Sequence, residues 1–412
     1  MTHLAFIIPT IDEIGGGERQ VLVLARAFSE RGWRVTLITL SGSRAQDDPQ
    51  LAESGVTCLS LKMRKAWIDP RGWLRYLAWA ARNRLDIVHA HLPHATWFAR
   101  CMRLFSPIRV HIDTIHTSKT GSLSRRLAYR LTHCLSNRVT CVSKAAASAV
   151  LNAGMVRSNG LLVIPNGVPV PPRSLEHPSF DRDFYWIAVG RLAPVKDYPT
   201  LLKAFAGLPE TAQLTIVGAG PEEEKLRALS SSLNIADRVH FAGFHRDIHP
   251  LLNRADAFVQ SSLWEGLPTS ILEASAAGLA IAATNAAGTC EATIPGHTAV
   301  LVPIADIKAL EAAMTQIMQM SSETRAQMGW RGRQFVEQNY ALPTVVDAWH
   351  TLYNRLLAEQ PTPSRFAKSP TRSPAVGAAS TSRSASTSVH ERSRPSPSDA
   401  QSATQPAPAP HK

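Results

Sequence analysis

Two glutamates that flank a predicted helix N-terminus carry the clearest chemical potential in this chain. Residues 265–273 read EGLPTSILE. Pro268 has the φ of a first helical residue, so we predict a helix from Pro268 to about residue 277, where Gly278 ends it. The free N–H groups of its first turn would then lie between Glu265 and Glu273 and suit an anion such as a phosphate. The alternative is that Glu265 is a charge favoured by the helix dipole and Glu273 a solvated helix residue.

Other polar groups follow predicted strands. Arg191 and Lys196 follow the apolar strand pattern at 184–190. Three glycines at 15–17 follow the first apolar run and let backbone N–H groups approach a ligand, although a merely tight turn explains them equally well. Because open α/β sheets bind ligands at the carboxyl ends of their strands, these groups are candidates for a binding site.

Four histidines occupy similar positions after strands of the N-terminal half. They are His89, His91, His94 and His116. The spacing HxHxxH without nearby carboxylates or cysteines is poor for zinc, so we predict no metal site. Histidines with no functional role are the alternative for each of them.

Strand, turn and helix patterns alternate on both sides of a proline-rich segment, which is typical of an α/β chain with two doubly wound, Rossmann-like parallel sheets. We predict an N-terminal domain at 1–168, a C-terminal domain at 169–342 that begins with a linker at about 169–183, a last helix at 343–358 and a tail at 359–412. The tail is basic and rich in Ser, Pro and Ala, and it has too few large apolar residues to form a core. We therefore expect the tail to be disordered.

Composition and charge narrow the class of protein. The 412 residues carry a net charge of +12, and residues 1–168 alone have 22 Lys and Arg against 10 Asp and Glu. The chain has no apolar run long enough to span a membrane and no basic leader, so we expect neither a membrane-spanning nor a secreted protein. Its five scattered cysteines fit a reduced, cytosolic compartment. A one-sided positive field implies an anionic partner.

The basic residues of the N-terminal half are mixed with tryptophan. Residues 62–84 combine Trp67, Trp73 and Trp79 with seven Lys or Arg residues, and residues 122–138 form a second basic stretch. Such amphipathic helices suit the headgroup layer of an anionic membrane. The alternative is an ordinary surface helix whose Trp73 and Trp79 face the core. Nucleic-acid binding is disfavoured because no groove-reading element is recognisable.

Several short sequence motifs occur in the same order as in the retaining glycosyltransferases of family 4, which have the GT-B fold, and the chain resembles that family. The motifs are GGGER (15–19), VHAH (88–91), IPNGV (164–168), VGRLAPVKDYPTLLKAF (189–205), LTIVGAGPEEEKL (214–226), VHFAGF (239–244) and EGLPTSILEASAAGLAI (265–281). The ordered set covers residues 4–358 and is specific. The resemblance implies that the second domain holds a nucleotide-diphosphate sugar and that the first holds the acceptor.

The resemblance also implies roles for the matching residues. Arg191 and Lys196 would hold the donor diphosphate, Glu273 the ribose hydroxyls and Glu265 the sugar hydroxyls, while His91 would lie beside the anomeric carbon. The implied catalytic residues are His91, Arg191, Lys196 and Glu265. The implied donor-binding residues are Gly16, Gly17, Gly190, Arg191, Lys196, Gly243, Phe244, Glu265, Gly266, Leu267, Pro268, Thr269 and Glu273. The implied acceptor-side residues are His94 and His116.

The resemblance implies a retaining, metal-independent hexosyltransferase of bacterial cell-surface polysaccharide or lipopolysaccharide biosynthesis. A UDP-sugar is the favoured donor, and a glycan or lipid-linked acceptor at the inner face of the cytoplasmic membrane is expected. The alternatives are a nucleotide-sugar epimerase of the same fold, a phosphorylase, whose cofactor lysine we cannot locate, and a basic nucleic-acid-binding protein.

Two features of the sequence depart from the family pattern or imitate another one. The word AAGTCEAT replaces a Gly-Gly pair before Glu291, which leaves open how Gly288 and Glu291 shape the donor pocket. Asp181 and Asp183 match the DxD metal signature of a different glycosyltransferase fold, but they lie in the predicted linker. We interpret that match as coincidence.

Overall fold

The computed structural model describes residues 1–12, 15–42, 49–64, 68–106, 108–172 and 183–360. Both sheets described below belong to one compact unit. Most of the predicted linker and nearly all of the predicted tail lie outside the described residues, as do Lys65, Trp67 and Asp181.

A seven-stranded parallel sheet forms the first lobe, in the order β3-β2-β1-β4-β5-β6-β7. Its strands are β1 His3–Ile8, β2 Arg34–Thr39, β3 Thr57–Ser60, β4 Ile87–His91, β5 Val110–Ile115, β6 Arg138–Cys141 and β7 Leu161–Val163. Its helices are α1 Gly16–Glu30, α2 Pro49–Glu53, α3 Pro70–Arg82, α4 Pro93–Arg103, α5 Leu123–Thr132 and α6 Lys144–Asn152. The central strands are buried along their whole length because helices cover both faces of the sheet.

A six-stranded parallel sheet forms the second lobe, in the order β10-β9-β8-β11-β12-β13. Its strands are β8 Phe184–Val189, β9 Ala212–Val217, β10 Val239–Gly243, β11 Ala257–Gln260, β12 Ala280–Thr284 and β13 Ala299–Val302. Its helices are α7 Tyr198–Ala206, α8 Glu223–Ser232, α9 His249–Leu252, α10 Thr269–Ala276, α11 Thr289–Ala292, α12 Ile307–Gln319 and α13 Ser322–Asn339. The two Rossmann-like sheets confirm the predicted fold class.

The last helix, α14 Leu342–Glu359, packs on the first lobe although it follows the second in sequence. Its buried face includes Val345, Trp349 and Tyr353, which join one apolar cluster with side chains of β1 and α1. The hydroxyl of Tyr353 hydrogen-bonds Nδ1 of the buried His89 at 2.6 Å. The first lobe therefore depends on a segment that lies at the far end of the described chain.

The chain crosses between the lobes at two adjacent places. At one of them, Val168 donates its N–H to the carbonyl of Tyr340 and accepts the N–H of Leu342, each at 2.9 Å. Val168 and Ala341 thus form an isolated parallel bridge where the chain leaves the first lobe and where it returns to that lobe.

Several boundaries differ from the sequence-based expectation. The helix expected to start at Pro268 starts at Thr269, because the ψ of Pro268 is 100° and only its φ is helical. The strand pattern at 184–190 is β8, which ends at Val189, and the last helix, expected at 343–358, spans Leu342–Glu359. No helix among the described residues is long and apolar enough to cross a membrane.

Candidate functional site

Each sheet has one point where the strand order reverses, and the polar residues of interest lie at these two points. In the first lobe the order reverses between β1 and β4, and in the second lobe between β8 and β11. Loops that leave adjacent strands there run in opposite directions and open a crevice at the carboxyl ends of the strands. The glycine loop and His91 border the first crevice, and Lys196 and residues 261–268 border the second.

The N-termini of α1 and α10 meet between the lobes. A Cβ atom on Gly16 would lie 3.1 Å from the hydroxyl oxygen of Thr269, so Gly16 permits this close approach. Gly266, Leu267 and Pro268, which lead into α10, are buried. Because both helices direct unpaired N–H groups and the positive ends of their dipoles to this region, it favours an anion.

Lys196 and Glu265 form an ion pair beside the start of α10. The Lys196 Nζ atom lies 2.5 Å from Oε1 of Glu265, and both side chains are largely buried. Two contacts between the loops fix this geometry: Leu263 donates its N–H to the carbonyl of Val195 at 2.9 Å, and the hydroxyl of Ser261 bonds the carbonyl of Lys196 at 2.8 Å. The structure therefore brings together Lys196, which we predict to bind the donor diphosphate, and Glu265, which we predict to bind the sugar hydroxyls.

Four other predicted donor residues lie on the same side of the second sheet as this pair. Arg191 follows β8 and has an exposed side chain. A Cβ atom on Gly190 would lie 3.1 Å from Cε of Lys196. Gly243 ends β10, and the next residue, Phe244, is 51% exposed at the rim of the second sheet. Phe244 thus offers a free aromatic surface, as a site for a nucleotide base would require.

Glu273 is not a solvated helix residue, since it is only 3% exposed. Its Oε1 lies 3.0 Å from a guanidinium nitrogen of Arg19, which α1 supplies from the other lobe. Burial raises the pKa of Glu273 to about 7, and the Arg19 charge opposes this rise. Arg19 belongs to the GGGER motif, but its partner Glu273 cannot be predicted from the sequence, because only the fold brings α1 and α10 together.

His91, which is buried, and His116, which is half-buried, form a pair at the ends of the adjacent strands β4 and β5. Nδ1 of His91 lies 2.8 Å from Nε2 of His116. Burial lowers the pKa of His116 to about 4 and lowers that of His91 well below 6.5, so both rings are neutral at ordinary pH. Within the described part of the chain, Nε2 of His91 and Nδ1 of His116 have no hydrogen-bond partner.

Of the two remaining predicted residues of the first lobe, Gly17 lies beside the histidine pair and His94 lies on the surface. A Cβ atom on Gly17 would lie 3.4 Å from the ring of His116, so Gly17 borders the histidine pair. His94, in the first turn of α4, is exposed and packs edge-on against Trp97. The structure therefore groups His116 with His91 rather than with His94.

A loop after β5 contacts the loop that carries Glu265. The hydroxyl of Ser118 donates to the backbone carbonyl of Glu265 at 2.8 Å, and Nζ of Lys119 lies 4.0 Å from the ring centre of Trp264. A Cβ atom on Gly266 would overlap the carbonyl oxygen of His116, so only glycine allows this approach. The contacts of Ser118 and Lys119 could not be predicted from the sequence, since neither residue belongs to a recognised motif.

Glu291 binds the first lobe instead of lining a pocket in the second. Its two carboxylate oxygens accept the N–H groups of Lys144 at 2.8 Å and Ala145 at 2.6 Å, at the N-terminus of α6. The tyrosine hydroxyl of Tyr340 donates to the Glu291 carbonyl at 2.6 Å. Gly288 packs on the backbone of Gly266, where a Cβ atom would not fit. The AAGTCEAT motif left open how Glu291 shapes the donor pocket. In the structure, Glu291 makes a contact between the lobes.

Neither the metal-binding side chains nor the cavity described next suggests a second ligand site among the described residues. Among the residues that the structure describes, no group of three or more His, Cys, Asp or Glu side chains could hold a metal ion. A surface cavity lies between β13, α12 and α13, where it is lined by residues such as His297, Met320 and Arg331. None of the residues discussed above contributes to that cavity.

Two family models together match most of the chain. Residues 14–170 match the model described as Glycosyltransferase Family 4, and residues 174–335 match the model described as Glycosyl transferases group 1. The first model covers the glycine loop and the histidine pair, and the second covers Lys196, Glu265 and Glu273.

Similar proteins extend over the same region. The lipopolysaccharide core biosynthesis glycosyltransferase LpsE of Rhizobium meliloti is 29% identical over 356 residues, which are 84% of this chain and 97% of LpsE. LpsD of the same organism is 26% identical over the same shares of each chain. Among solved structures, Anabaena HepE in complex with UDP is 19% identical, with a TM-score of 0.73 over 86% of this chain and 100% of HepE. Sucrose-phosphate synthase of Thermosynechococcus elongatus is 22% identical, with a TM-score of 0.77 over 87% of this chain and 100% of that one. These structural likenesses support the two-lobed GT-B fold.

Proposed function

Since this chain belongs to the group 1, family 4 glycosyltransferases, we propose that it transfers a hexose from a nucleotide-diphosphate sugar to a glycan or lipid-linked acceptor with retention of the anomeric configuration. The proposed donor is a UDP-sugar, and the proposed pathway is cell-surface polysaccharide or lipopolysaccharide synthesis. The names of the relatives support these choices, since LpsE and LpsD are lipopolysaccharide core enzymes and HepE was crystallised with UDP and with UDP-glucose.

The arrangement around the start of α10 carries the proposal. The helix N-terminus and Lys196 offer positive charge to a diphosphate. Glu265 on one side and Glu273 on the other offer carboxylate oxygens to hydroxyl groups. The order carboxylate, positive centre, carboxylate matches the order of hydroxyls, diphosphate and hydroxyls along a nucleotide sugar.

In this mechanism the chain stabilises a leaving group. As the bond between the anomeric carbon and the phosphate oxygen breaks, Lys196, Arg191 and the N–H groups at the start of α10 hold the developing phosphate charge. Glu265 is already paired with Lys196, so it serves to bind sugar hydroxyls rather than to attack the anomeric carbon. The acceptor hydroxyl attacks on the face that the phosphate leaves, and the departing phosphate takes its proton. These protein groups offset the phosphate charge, and the proposal uses no metal.

The neutral histidine pair faces the same reaction from the first lobe. His91 and His116 have one unpartnered ring nitrogen each among the described residues. A buried polar atom without a partner carries a desolvation cost, which a sugar or acceptor hydroxyl would remove by hydrogen bonding. We assign this role to His91, because its ring is held in place by His116 on the other side. His94 and His116 belong to the acceptor side in this proposal.

A lipid-linked acceptor places the enzyme at the inner face of an anionic cytoplasmic membrane. Trp73 and Trp79 pack against the core of the first lobe, so they do not form the docking surface. A stripe on α5 fits better: Leu123, Leu127 and Leu131 are 79%, 52% and 68% exposed, and they share one helix face at spacings of four. Arginines of the same helix would add attraction to anionic lipids.

The proposed reaction is tested by incubating the purified protein with a panel of UDP-, GDP- and ADP-sugars. We expect a UDP-sugar to raise the melting temperature, because a ligand that binds only the folded state stabilises it. Transfer to delipidated or truncated lipopolysaccharide, with an α-linked product from an α-linked donor, would support the retaining reaction. An inverted product would refute retention, and conversion of the donor sugar without any acceptor would favour an epimerase.

A further inference from the structure

Arg19 and Glu273 are joined across the two lobes. Arg19 lies in the first turn of α1 in the first lobe, and Glu273 lies in the second turn of α10 in the second lobe. A guanidinium nitrogen of Arg19 lies 3.0 Å from Oε1 of Glu273. The proposed function gives Glu273 a task in donor binding, whereas it gives Arg19 none.

Glu273 needs a partner to stay ionised. A carboxylate that is 3% exposed has lost nearly all of its hydration, and burial alone favours the protonated form. A protonated carboxyl group is a poorer acceptor for hydroxyl groups than a carboxylate. The cation that opposes the burial effect is Arg19, which is 30% exposed and reaches Glu273 only because the lobes are in contact.

Other charged groups near Glu273 do not replace Arg19. Asp247, which precedes α9, adds a negative charge that favours the protonated form of Glu273. His249 of α9 is affected by the Arg19 charge and has a lowered pKa, mainly because of burial. Arg333 of α13 donates to the carbonyl of Ala276 and pairs with Glu337, so it neutralises a different carboxylate.

We propose that Arg19 is a positioning residue for the nucleotide-sugar donor: its charge favours the carboxylate form of Glu273, and its contact orients that carboxylate toward the ribose hydroxyls when the lobes are together. This inference rests on the proposed function, in which Glu273 binds the ribose. The first lobe then takes part in donor recognition through a residue of the GGGER word, and donor affinity depends on lobe closure.

The alternative is that the ion pair only joins the lobes. A ligand comparison separates the two roles, because it asks whether the effect of Arg19 depends on the ribose hydroxyls. Calorimetry would measure the binding of UDP and of a UDP analogue that lacks both ribose hydroxyls to wild type and to the Arg19→Met, Arg19→Lys and Glu273→Gln variants. Arg31→Met is the matched control, since Arg31 closes the other end of α1 and pairs with Asp347 of α14.

We expect Arg19→Met and Glu273→Gln each to weaken UDP binding on the order of tenfold or more, as loss of hydrogen bonds to a charged acceptor predicts. Binding of the analogue should change much less, because it cannot use Glu273. Arg19→Lys should restore part of the affinity for UDP, and Arg31→Met should bind both ligands like wild type. Melting temperatures of all variants would verify that each one is folded.

A pH series gives an independent readout. UDP-glucose is a suitable probe because its diphosphate does not titrate near neutral pH. In Arg19→Met the pKa of Glu273 should rise further, so tight binding should require a higher pH than in wild type. We expect the two affinity curves, measured between about pH 6 and 9, to converge at the alkaline end.

The outcomes distinguish this inference from the proposed function. If wild type binds neither UDP nor UDP-glucose, the proposed donor is wrong and the role of Arg19 is refuted with it. If wild type binds UDP but Arg19→Met weakens UDP and the analogue equally, or leaves the pH curve unshifted, the positioning role alone is refuted. A larger loss for UDP than for the analogue, with a shifted pH curve, would establish it.

Discussion

The Nζ atom of Lys196 lies 2.5 Å from Oε1 of Glu265, so the cation that should hold the diphosphate and the carboxylate that should hold the sugar are paired with each other. In this partly buried pair, each charge is neutralised by the other. A donor that brings a diphosphate to Lys196 and hydroxyls to Glu265 can share the pair rather than open it. The relationship makes Lys196 and Glu265 one functional unit.

Removal of Lys196 should affect turnover more than donor binding. Lys196→Ala and Arg191→Ala should each lower kcat on the order of 10²-fold, because they remove charge that stabilises the departing phosphate. Lys203→Ala is the control, since Lys203 is an exposed residue in the last turn of α7. Steady-state rates with a UDP-sugar donor are the measurement. Near-normal turnover in both variants would exclude the diphosphate assignment.

Replacement of Glu273 should have the opposite pattern. A ribose contact exists in both the ground state and the transition state, so Glu273→Ala should raise the donor KM roughly tenfold or more with little change in kcat. Glu224→Ala, an exposed glutamate in the first turn of α8, serves as the control. A fall in kcat alone, at unchanged KM, would contradict the ribose contact.

Glu291 should hold the lobes together. Its carboxylate satisfies two N–H groups at the start of α6, and hydrogen bonds to a charged acceptor contribute about 1.5–3 kcal/mol each. We expect Glu291→Gln to increase the radius of gyration measured by small-angle X-ray scattering without lowering the helix content. Glu323→Gln is the control, because Glu323 also lies in a first helical turn but is exposed in α13. An unchanged scattering curve for Glu291→Gln would show that other contacts suffice for closure.

The histidine pair should make the protein sensitive to acid. The pKa of His116 falls from 6.5 to about 4 on folding, so below pH 6.5 the unfolded chain binds a proton that the folded protein does not. This group therefore contributes stability above pH 6.5 that is lost as the pH falls toward 4, by about 2 kcal/mol at pH 5. Glu273 acts in the opposite direction, because its raised pKa makes the folded protein keep a proton that the unfolded chain loses between about pH 4.5 and 7.

Comparison with a His116→Asn variant isolates the histidine effect, since Glu273 titrates in both proteins. The free energy of unfolding, measured by urea denaturation, should decrease less for His116→Asn than for wild type when the pH is lowered from about 7.5 to 5. Parallel decreases in the two proteins would mean that His116 is protonated in the folded state.

The α5 stripe should carry membrane binding. We expect the protein to sediment with phosphatidylglycerol vesicles at low salt and less at high salt, since each basic residue near an anionic surface contributes about 1 kcal/mol. Replacing Leu123, Leu127 and Leu131 with Ser should release it while UDP binding stays normal. The comparison variant replaces Arg64, which precedes α3, and Arg71, in the first turn of α3, with Glu. Release by the α3 variant alone would move the docking surface to that helix, and a wild-type protein that stays in the supernatant would refute docking.

The sequence predicted the positions of helices and strands better than it predicted which elements pack against each other. The last helix, predicted at 343–358, is α14 Leu342–Glu359 in the structure, because its apolar spacing and the proline in its first turn are local signals. Strand β3 was not predicted, since its four residues include a cysteine and two hydroxyl side chains. The burial of Trp73 and Trp79 could not be decided from spacing alone, because spacing shows that a helix has an apolar face but not what covers it.

Contacts in the candidate site show the same limit more sharply. The pattern of strand ends placed His91 and His116 at the edge of the sheet, but their hydrogen bond depends on β4 and β5 being neighbours. The partners of Arg19 and Glu291 lie in the opposite lobe, and no local pattern contains that information. Residue type and spacing therefore predicted which groups could bind a ligand, and only the packing of the lobes shows which charges are neutralised by protein.

The return of α14 to the first sheet sets an order on folding during synthesis. Val345, Trp349 and Tyr353 complete the apolar core of the first lobe, yet the ribosome makes them after the whole second lobe. The second lobe can close its sheet from one continuous segment, whereas the first lobe must wait with part of its core uncovered. The half of the protein that is translated first is therefore the last to complete its apolar core.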